Sequence, residues 1–334
     1  MSDKRVSKEE DKKEIDFMSN PSLQLAVKKS KRKQTFKYIG ITVFTTIVLL
    51  YVLISGSQYI LNQRIEVSSE KSLLDPIYGA NLSSGGGSYN YDLFSVTIDE
   101  RTFKTVGNRS ILWDTKIKKI PLFGRIETLN QGSGMVHTIS LDKEAHRYIR
   151  YNDFNNERKI DFYYPGLRYD YLPHELDIAT DLDKNKLIEV AISFDKPMTL
   201  AEVSKQLGNK NVIWLWVDTS SKAQMHRMEK ELDSDSLKTK GGGGAFGFDI
   251  NPQEPYSNQH EEFFMRTLKE LKKKGFRKSL VNEALKGIEE NTRSTEGKIQ
   301  YNGAVVTGTA EELKRFQDLP FIRASVLGAT IDKY

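Results

Sequence analysis

The chain has no cysteine among its 334 residues. That excludes disulfides, thiolate metal sites, thiol nucleophiles and cysteine-linked lipid anchors. Secreted eukaryotic domains of this size usually carry some disulfides, so a bacterial cell-surface setting fits the composition better. Histidine is scarce as well, five in all. His137, His146, His174 and His226 lie far apart with no metal-ligand spacing, and His260-Glu261-Glu262 lacks the second histidine of a helical zinc-protease motif because Phe264 stands there. The run Gly241 to Gly244 is not followed by the Gly-Lys-Ser or Gly-Lys-Thr of a phosphate loop, and is read as a flexible loop. No Gly-x-Ser-x-Gly elbow occurs, and no carboxylate pair can be singled out without geometry. The expectation is a protein without catalytic residues, bound metal or cofactor.

Most of the chain also lacks a net charge. Residues 1 to 37 hold eleven of the 50 Lys and Arg and six of the 45 Asp and Glu, which leaves 39 of each sign for the remainder. The positive excess of +5 therefore belongs to the N-terminal segment. Charge is absent altogether from Tyr38 to Leu61, YIGITVFTTIVLLYVLISGSQYIL. As a helix these residues would reach about 36 Å at 1.5 Å each, enough for a hydrocarbon layer of about 30 Å. Lys28, Lys29, Lys31, Arg32, Lys33 and Lys37 stand directly before this run, whereas Arg64 and Lys71 are the only bases within ten residues after it. Basic flanks are retained in the cytoplasm, so the sequence predicts a single-pass cell-membrane protein with residues 1–37 inside and residues 62–334 outside. The same bases would be drawn to anionic lipid, which accounts for them without a direct nucleic-acid contact. A cleaved signal peptide is the rival reading, with Ser55, Gly56 and Ser57 as small residues at a processing site. The long charged lead-in and the length of the apolar run favour a retained anchor.

Residues 1 to 16 are rich in both charges and poor in apolar side chains, a composition that does not fold alone. After them Asn20 is a suitable N-cap, Pro21 fits the first helical turn, and Leu23, Val27 and Phe36 are expected along one side of a helix entering the membrane. Such a surface is either a docking helix for a cytoplasmic partner or the start of the span lying on headgroups.

Beyond the span, residues 62–88 read as a stalk that ends in the flexible-looking run Ser83 to Ser88. Residues 89–180 read as a β-rich region, with alternation at Tyr89, Tyr91 and Leu93, at Val96 and Ile98, and from Met135 to Leu141. Phe162-Tyr163-Tyr164-Pro165-Gly166 is read as inward packing in preference to an exposed recognition face. Residues 181–334 repeat a plan. Ile188 to Phe194 is a strand, Thr199-Leu200-Ala201-Glu202 a capping box and Asn211 to Asp218 a strand; then Ile299 to Val306, the capping box Thr309-Ala310-Glu311-Glu312, and Phe321 to Ile331. Two strand-helix-strand units predict an α+β domain of ferredoxin-like β-α-β-β-α-β type. A helical insertion over 257–290 separates them, with helices at Gln259 to Lys274, capped by Asn258 and stopped by Gly275, and at Arg277 to Glu290. Trp214 and Trp216, two residues apart, share one face of their strand. They are expected either to pack against the inserted helices or to line an exterior groove for a wall glycan or protein segment.

The basic lead-in and span AVKKSKRKQTFKYIGITVFTTIVLLYVLI, followed by EVAISFDKPMTLAEV and NVIWLWVDT, resemble the sigma-factor regulator family of Firmicute bacteria, over the span and roughly residues 160 to 331. The resemblance implies a single-pass membrane anti-sigma factor. Its cytoplasmic side would hold an extracytoplasmic-function sigma factor away from RNA polymerase, and its exterior domain would respond to envelope stress. On that reading Phe17, Met18, Leu23, Leu25 and Val27 make the sigma contact. Cleavage, or a second protein in the membrane, is expected to transmit the signal. The chain departs from better-known anti-sigma proteins in lacking a His-x-x-x-Cys-x-x-Cys zinc motif. An alternative of another class is a membrane-anchored cell-envelope binding or assembly module with no sigma partner.

Overall fold

A computed structural model describes residues 21–69, 73–132, 139–142 and 147–334. The uncharged run lies inside α1, Pro21–Ser69, a helix of 49 residues. It continues for eight residues past Leu61 because nothing in Asn62 to Ser69 breaks it, so the expected stalk begins as helix. At 1.5 Å per residue it reaches about 73 Å, about twice what a hydrocarbon layer needs. Asn20, the expected cap, lies outside the described residues. Residues 1–60 and 61–334 form two separate compact units.

The rest of the stretch read as a stalk is built into the second unit. Leu74 and Ile77, at a 3-10 turn over Asp75–Ile77, are buried in its largest core. Ser83–Tyr91 is a strand, β1, paired antiparallel with β2, Ser95–Val106. The glycines are there for space and curvature, which composition alone had suggested as flexibility. A Cβ on Gly85 would lie 2.1 Å from the Phe103 ring, and Gly86 takes a φ of +79° where the register shifts between Ser84 and Gly87. β3, Arg109–Pro121, and β4, Glu127–Gln131, complete a four-stranded sheet in the order β1-β2-β3-β4. Short pieces follow: β5, Ile139–Asp142, paired with β6, Arg147–Arg150, and then β7, Asp161–Phe162. Part of the alternation expected from Met135 lies outside the described residues.

The remaining elements surround one five-stranded sheet. In chain order they are α2, Leu176–Asp181; β8, Lys186–Thr199; α3, Leu200–Leu207; β9, Val212–Val217; α4, Lys222–Glu231; α5, Asp235–Lys238; β10, Lys240–Gly241; β11, Gly247–Asp249; α6, Asn258–Lys274; α7, Lys278–Thr292; β12, Gln300–Thr309; α8, Ala310–Leu313; and β13, Ile322–Asp332. The strands stand β11-β9-β12-β8-β13, every neighbouring pair antiparallel. Both capping boxes form: Thr199 and Thr309 accept the N–H of Glu202 and Glu312, whose carboxylates accept the cap N–H in return. Gly275 ends α6 at a φ of +72°, while Ser257 in place of Asn258 caps its start.

Period-2 alternation divides the sheet into two faces. Val190, Ile192, Phe194, Leu215 and Val217 meet α6 and α7 through Phe264, Leu268, Val281 and Ile288. Ala191, Trp214, Trp216, Val305 and Val326 meet Ile160, Phe162 and Tyr164, with Met225 and Met228 of α4 against them. The inserted helices therefore cover the aliphatic face, and the tryptophan face has a cover of its own. The segment between β9 and β12 is also larger than the two helices expected, because it carries α4, α5, β10 and β11 in addition. Gly241 to Gly244 is an ordered turn and not a loose loop. Gly241 pairs with Asp161, Gly242 donates to the Ile160 carbonyl at 2.9 Å, and a Cβ on Gly242 would lie 2.6 Å from the Ile160 side chain.

Candidate functional site

At the N-terminal side, Leu23, Leu25 and Val27 are exposed on α1, with Leu25 the most open at 67%. Phe17 and Met18 lie outside the described residues. At about 100° per residue, Leu23 and Val27 are roughly 40° apart, whereas Leu25 lies about 160° from each. Phe36 falls about 180° from Val27 and roughly 20° from Leu25. The single apolar side expected from sequence is therefore two narrow edges, Leu23 with Val27 and Leu25 with Phe36. Lys28, Lys29, Lys31, Arg32, Lys33 and Lys37 are all exposed, a basic collar before the uncharged turns.

Trp214 and Trp216 are each 1% exposed, which removes them as direct exterior recognition residues. Phe162 stacks 4.9 Å from Trp216 and 5.9 Å from Trp214, and Tyr164 meets Trp216 edge-on at 4.9 Å. Gly247 makes room for this layer, since a Cβ there would lie 2.3 Å from the Trp214 ring. The aromatic run 162–164 packs inward as its composition suggests.

The polar groups that the structure does bring together are buried carboxylates facing the four-stranded sheet and its neighbours. Glu189 on β8 is fully buried and Lys104 on β2 is 3% exposed. The Lys104 ammonium donates to Oε1 at 2.7 Å and to Oε2 at 2.6 Å, and stands 4.2 Å above the Trp113 ring. Asn81 donates to Oε1 at 2.7 Å and the Ala329 N–H to Oε2 at 3.2 Å. A charge survives in such a place only when paired and saturated with donors, and this one is both. Glycine again makes the space: a Cβ on Gly328 would lie 2.4 Å from Glu189 Oε2.

A second cluster lies beside the first. Glu175 receives Arg147 through Nε at 2.9 Å and Nη2 at 3.0 Å, Arg158 at 2.8 Å and the Leu327 N–H at 2.8 Å. Arg147 also reaches Asp161 at 3.7 Å, and Arg150 donates to the same carboxylate. Glu157 accepts the Thr330 N–H at 2.8 Å, and burial pushes its carboxyl upward. Three carboxylates thus each take an N–H of β13, the last strand of its sheet, which blunts an edge otherwise open to another chain. Two cavities flank the clusters and share Arg150. One, about 370 Å³, is lined by Lys104, Trp113, Asp114, Lys159 and Gly241 to Gly244; the other, about 560 Å³, by Arg147, Asp161, Asp170, Asp233 and Asp235 among others.

Elsewhere, burial raises one carboxyl well out of the usual range. Asp218, at the end of β9, is pushed up to about 6, against opposing bonds from the Ser220 N–H and Asn302. Asp218 and Asn302 line a third cavity of about 420 Å³, and Asn302 Oδ1 has no hydrogen-bond partner within the protein. Among the described residues no three His, Asp or Glu side chains come together as a metal site. None of these clusters was visible in the sequence, because their members come from distant segments; Lys104 and Glu189 are 85 residues apart.

No curated protein and no solved structure matches the chain. Residues 180–329 match the family described as sigma factor regulator C-terminal, a regulatory and not a catalytic family. The matched segment runs from the end of α2 into β13 and contains Glu189, Trp214 and Trp216; Lys104, Asp161 and Glu175 lie before it. The five-stranded sheet and the helices on it therefore match the sigma factor regulator C-terminal domain, and that domain implies a role in regulating a sigma factor.

Proposed function

We propose that the protein is a single-pass membrane anti-sigma factor. Residues 1–37 hold an extracytoplasmic-function sigma factor at the cytoplasmic face, residues 38–61 span the membrane, and the exterior residues answer envelope stress. The observation that carries this reading is the regulator domain on the same chain as a long apolar helix with six exposed bases just before its uncharged turns. Sequestration needs an accessible surface and no chemistry. Leu23 with Val27 supplies one such edge and Leu25 the other, and the proposed contact also takes in Phe17 and Met18. For the regulator domain itself we adopt the ferredoxin-like split arrangement. Its support is the order β9-β12-β8-β13, in which α3 follows β8 and α8 follows β12, with β11 added outside β9.

The test is affinity capture of the full chain from detergent-solubilised membranes. A sigma factor should co-purify, and should be lost when residues 2–27 are deleted or when Leu23→Asp and Val27→Asp are combined, with transcription of its regulon rising in parallel. Unchanged capture and unchanged transcription would refute the sigma contact and leave the envelope-binding alternative standing.

A further inference from the structure

The end of the four-stranded sheet nearest α1 carries an apolar tip. The β1–β2 turn, residues 92–94, and the β3–β4 turn, residues 122–126, lie at the same end, because Ser95 pairs with Pro121 and the Leu122 N–H donates to the Phe94 carbonyl at 2.7 Å. On these two turns Leu93, Phe94, Phe123 and Ile126 are exposed by 45%, 54%, 77% and 44%. Exposed Leu or Phe side chains are ordinary when single, but here four large apolar side chains are exposed on two adjacent turns. Arg125 is exposed among them.

The position of this tip along the chain says what covers it. Arg64 donates to the Gly124 carbonyl at 2.7 Å, and Tyr91 donates to Asn62 at 2.9 Å. Leu61 and Ile65 join Val96, Ile98, Ile120 and Leu122 in a small core beneath the same turns. These contacts are all made by residues 61–65, and the uncharged run ends at Leu61. Three residues of helix amount to about 4.5 Å, so the turns are fixed close to the level at which the chain leaves its apolar run.

We infer that the two turns dip into the lipid bilayer at its interface, with Phe94 and Phe123 entering the acyl boundary and Arg125 extending to the headgroups. This rests on α1 being a membrane span. Aromatic and aliphatic side chains on short turns suit that layer, and a guanidinium on a long stem can remain in water beside them. The sheet is then held at two points, through the helix and through its own tip.

The absence of cysteine makes the test direct. Spin labels are placed singly on the full chain at Phe94→Cys, Phe123→Cys, Ile47→Cys and Leu237→Cys, and the protein is put into nanodiscs of phosphatidylcholine and phosphatidylglycerol. Accessibility is compared between oxygen, which concentrates in lipid, and a water-soluble nickel chelate. Labels at 94 and 123 should shift to oxygen above nickel, as at 47, while 237, on an exposed side chain away from the tip, stays nickel-accessible. Nickel access at 94 and 123 with oxygen dominant at 47 overturns the inference and leaves the span intact. Nickel access at 47 overturns the span itself. Labels at 94 and 123 shielded from both reagents put protein in place of lipid against the tip and also overturn it.

Discussion

Replacing Lys104 with methionine leaves the Glu189 carboxylate buried with two donors, Asn81 and Ala329, where it had four hydrogen bonds. An ion left without its partner in the interior costs about 3–5 kcal/mol, and that is the expected loss for Lys104→Met. Glu189→Leu should cost more. It strands the Lys104 ammonium over the Trp113 ring, an attraction of about 2 kcal/mol at best, and deprives Asn81 and Ala329 of their acceptor at roughly 1–3 kcal/mol each. Combining the two substitutions removes both charges together, so the double variant should recover at least about 2 kcal/mol relative to the sum of the singles. Urea unfolding of the full chain in detergent, followed by fluorescence of Trp113, Trp214 and Trp216, reads all four corners of the cycle. Additive losses, or a Lys104→Met loss below about 1 kcal/mol, would mean that water reaches the pair and that its apparent saturation does not hold in solution.

The raised carboxyl gives a pH dependence of definite sign. Native Asp218, at about 6, holds a proton that an unfolded Asp at about 3.9 has released, so stability should fall as pH rises from about 4 to 6 and level off above that. Asp218 accounts for roughly 2–3 kcal/mol of that fall at most. Asp218→Asn keeps the acceptor for the Ser220 N–H and cannot ionise; it should raise the melting temperature at pH 7 relative to pH 4 and flatten the slope between them, and an unchanged slope would contradict the assignment. Gly287→Ala in α7 should destabilise by roughly 1–3 kcal/mol, because its Cβ would lie 2.1 Å from the Thr219 carbonyl oxygen and that clash exceeds the helix-propensity gain of about 1 kcal/mol; stabilisation in urea would refute it. On α1, Leu23→Asp and Val27→Asp share an edge, so as anchors of about 1.5–3 kcal/mol each they should lower sigma capture at least tenfold together. Leu25→Asp, across the helix, tests whether the partner also wraps the second edge, and an effect from Leu25→Asp alone would move the contact to that side.

What the sequence made legible was whatever is encoded within a few residues. The capping boxes at Thr199 and Thr309 and the alternation of β8, β9, β12 and β13 are local signals, and the structure contains all of them. Glycine was misread twice for one reason. In Ser83 to Ser88 and Gly241 to Gly244 composition suggests mobility, whereas the glycines stand where a Cβ would strike Phe103 or Ile160, contacts that belong to residues up to 82 positions away. The tryptophan face was assigned the wrong partner because periodicity identifies a face without saying which later segment returns to cover it. The ion clusters were beyond reach altogether: Glu175 meets the Leu327 N–H across 152 residues, and no spacing marks either one.

The four-stranded sheet is the element that joins these observations. On one side Lys104 binds it to Glu189 in the regulator domain; on the other Gly124 and Tyr91 bind it to Arg64 and Asn62 of α1. A lone helix responds to the exterior only through what grips its end, and this sheet grips residues 61–65 by two hydrogen bonds and a small apolar core. The Lys104→Met variant separates the two roles of the buried pair. Loss of stability with repression of the regulon retained would make the pair structural only, whereas constitutive release of the sigma factor by a chain that remains folded at working temperature would place the sheet in the path of the signal.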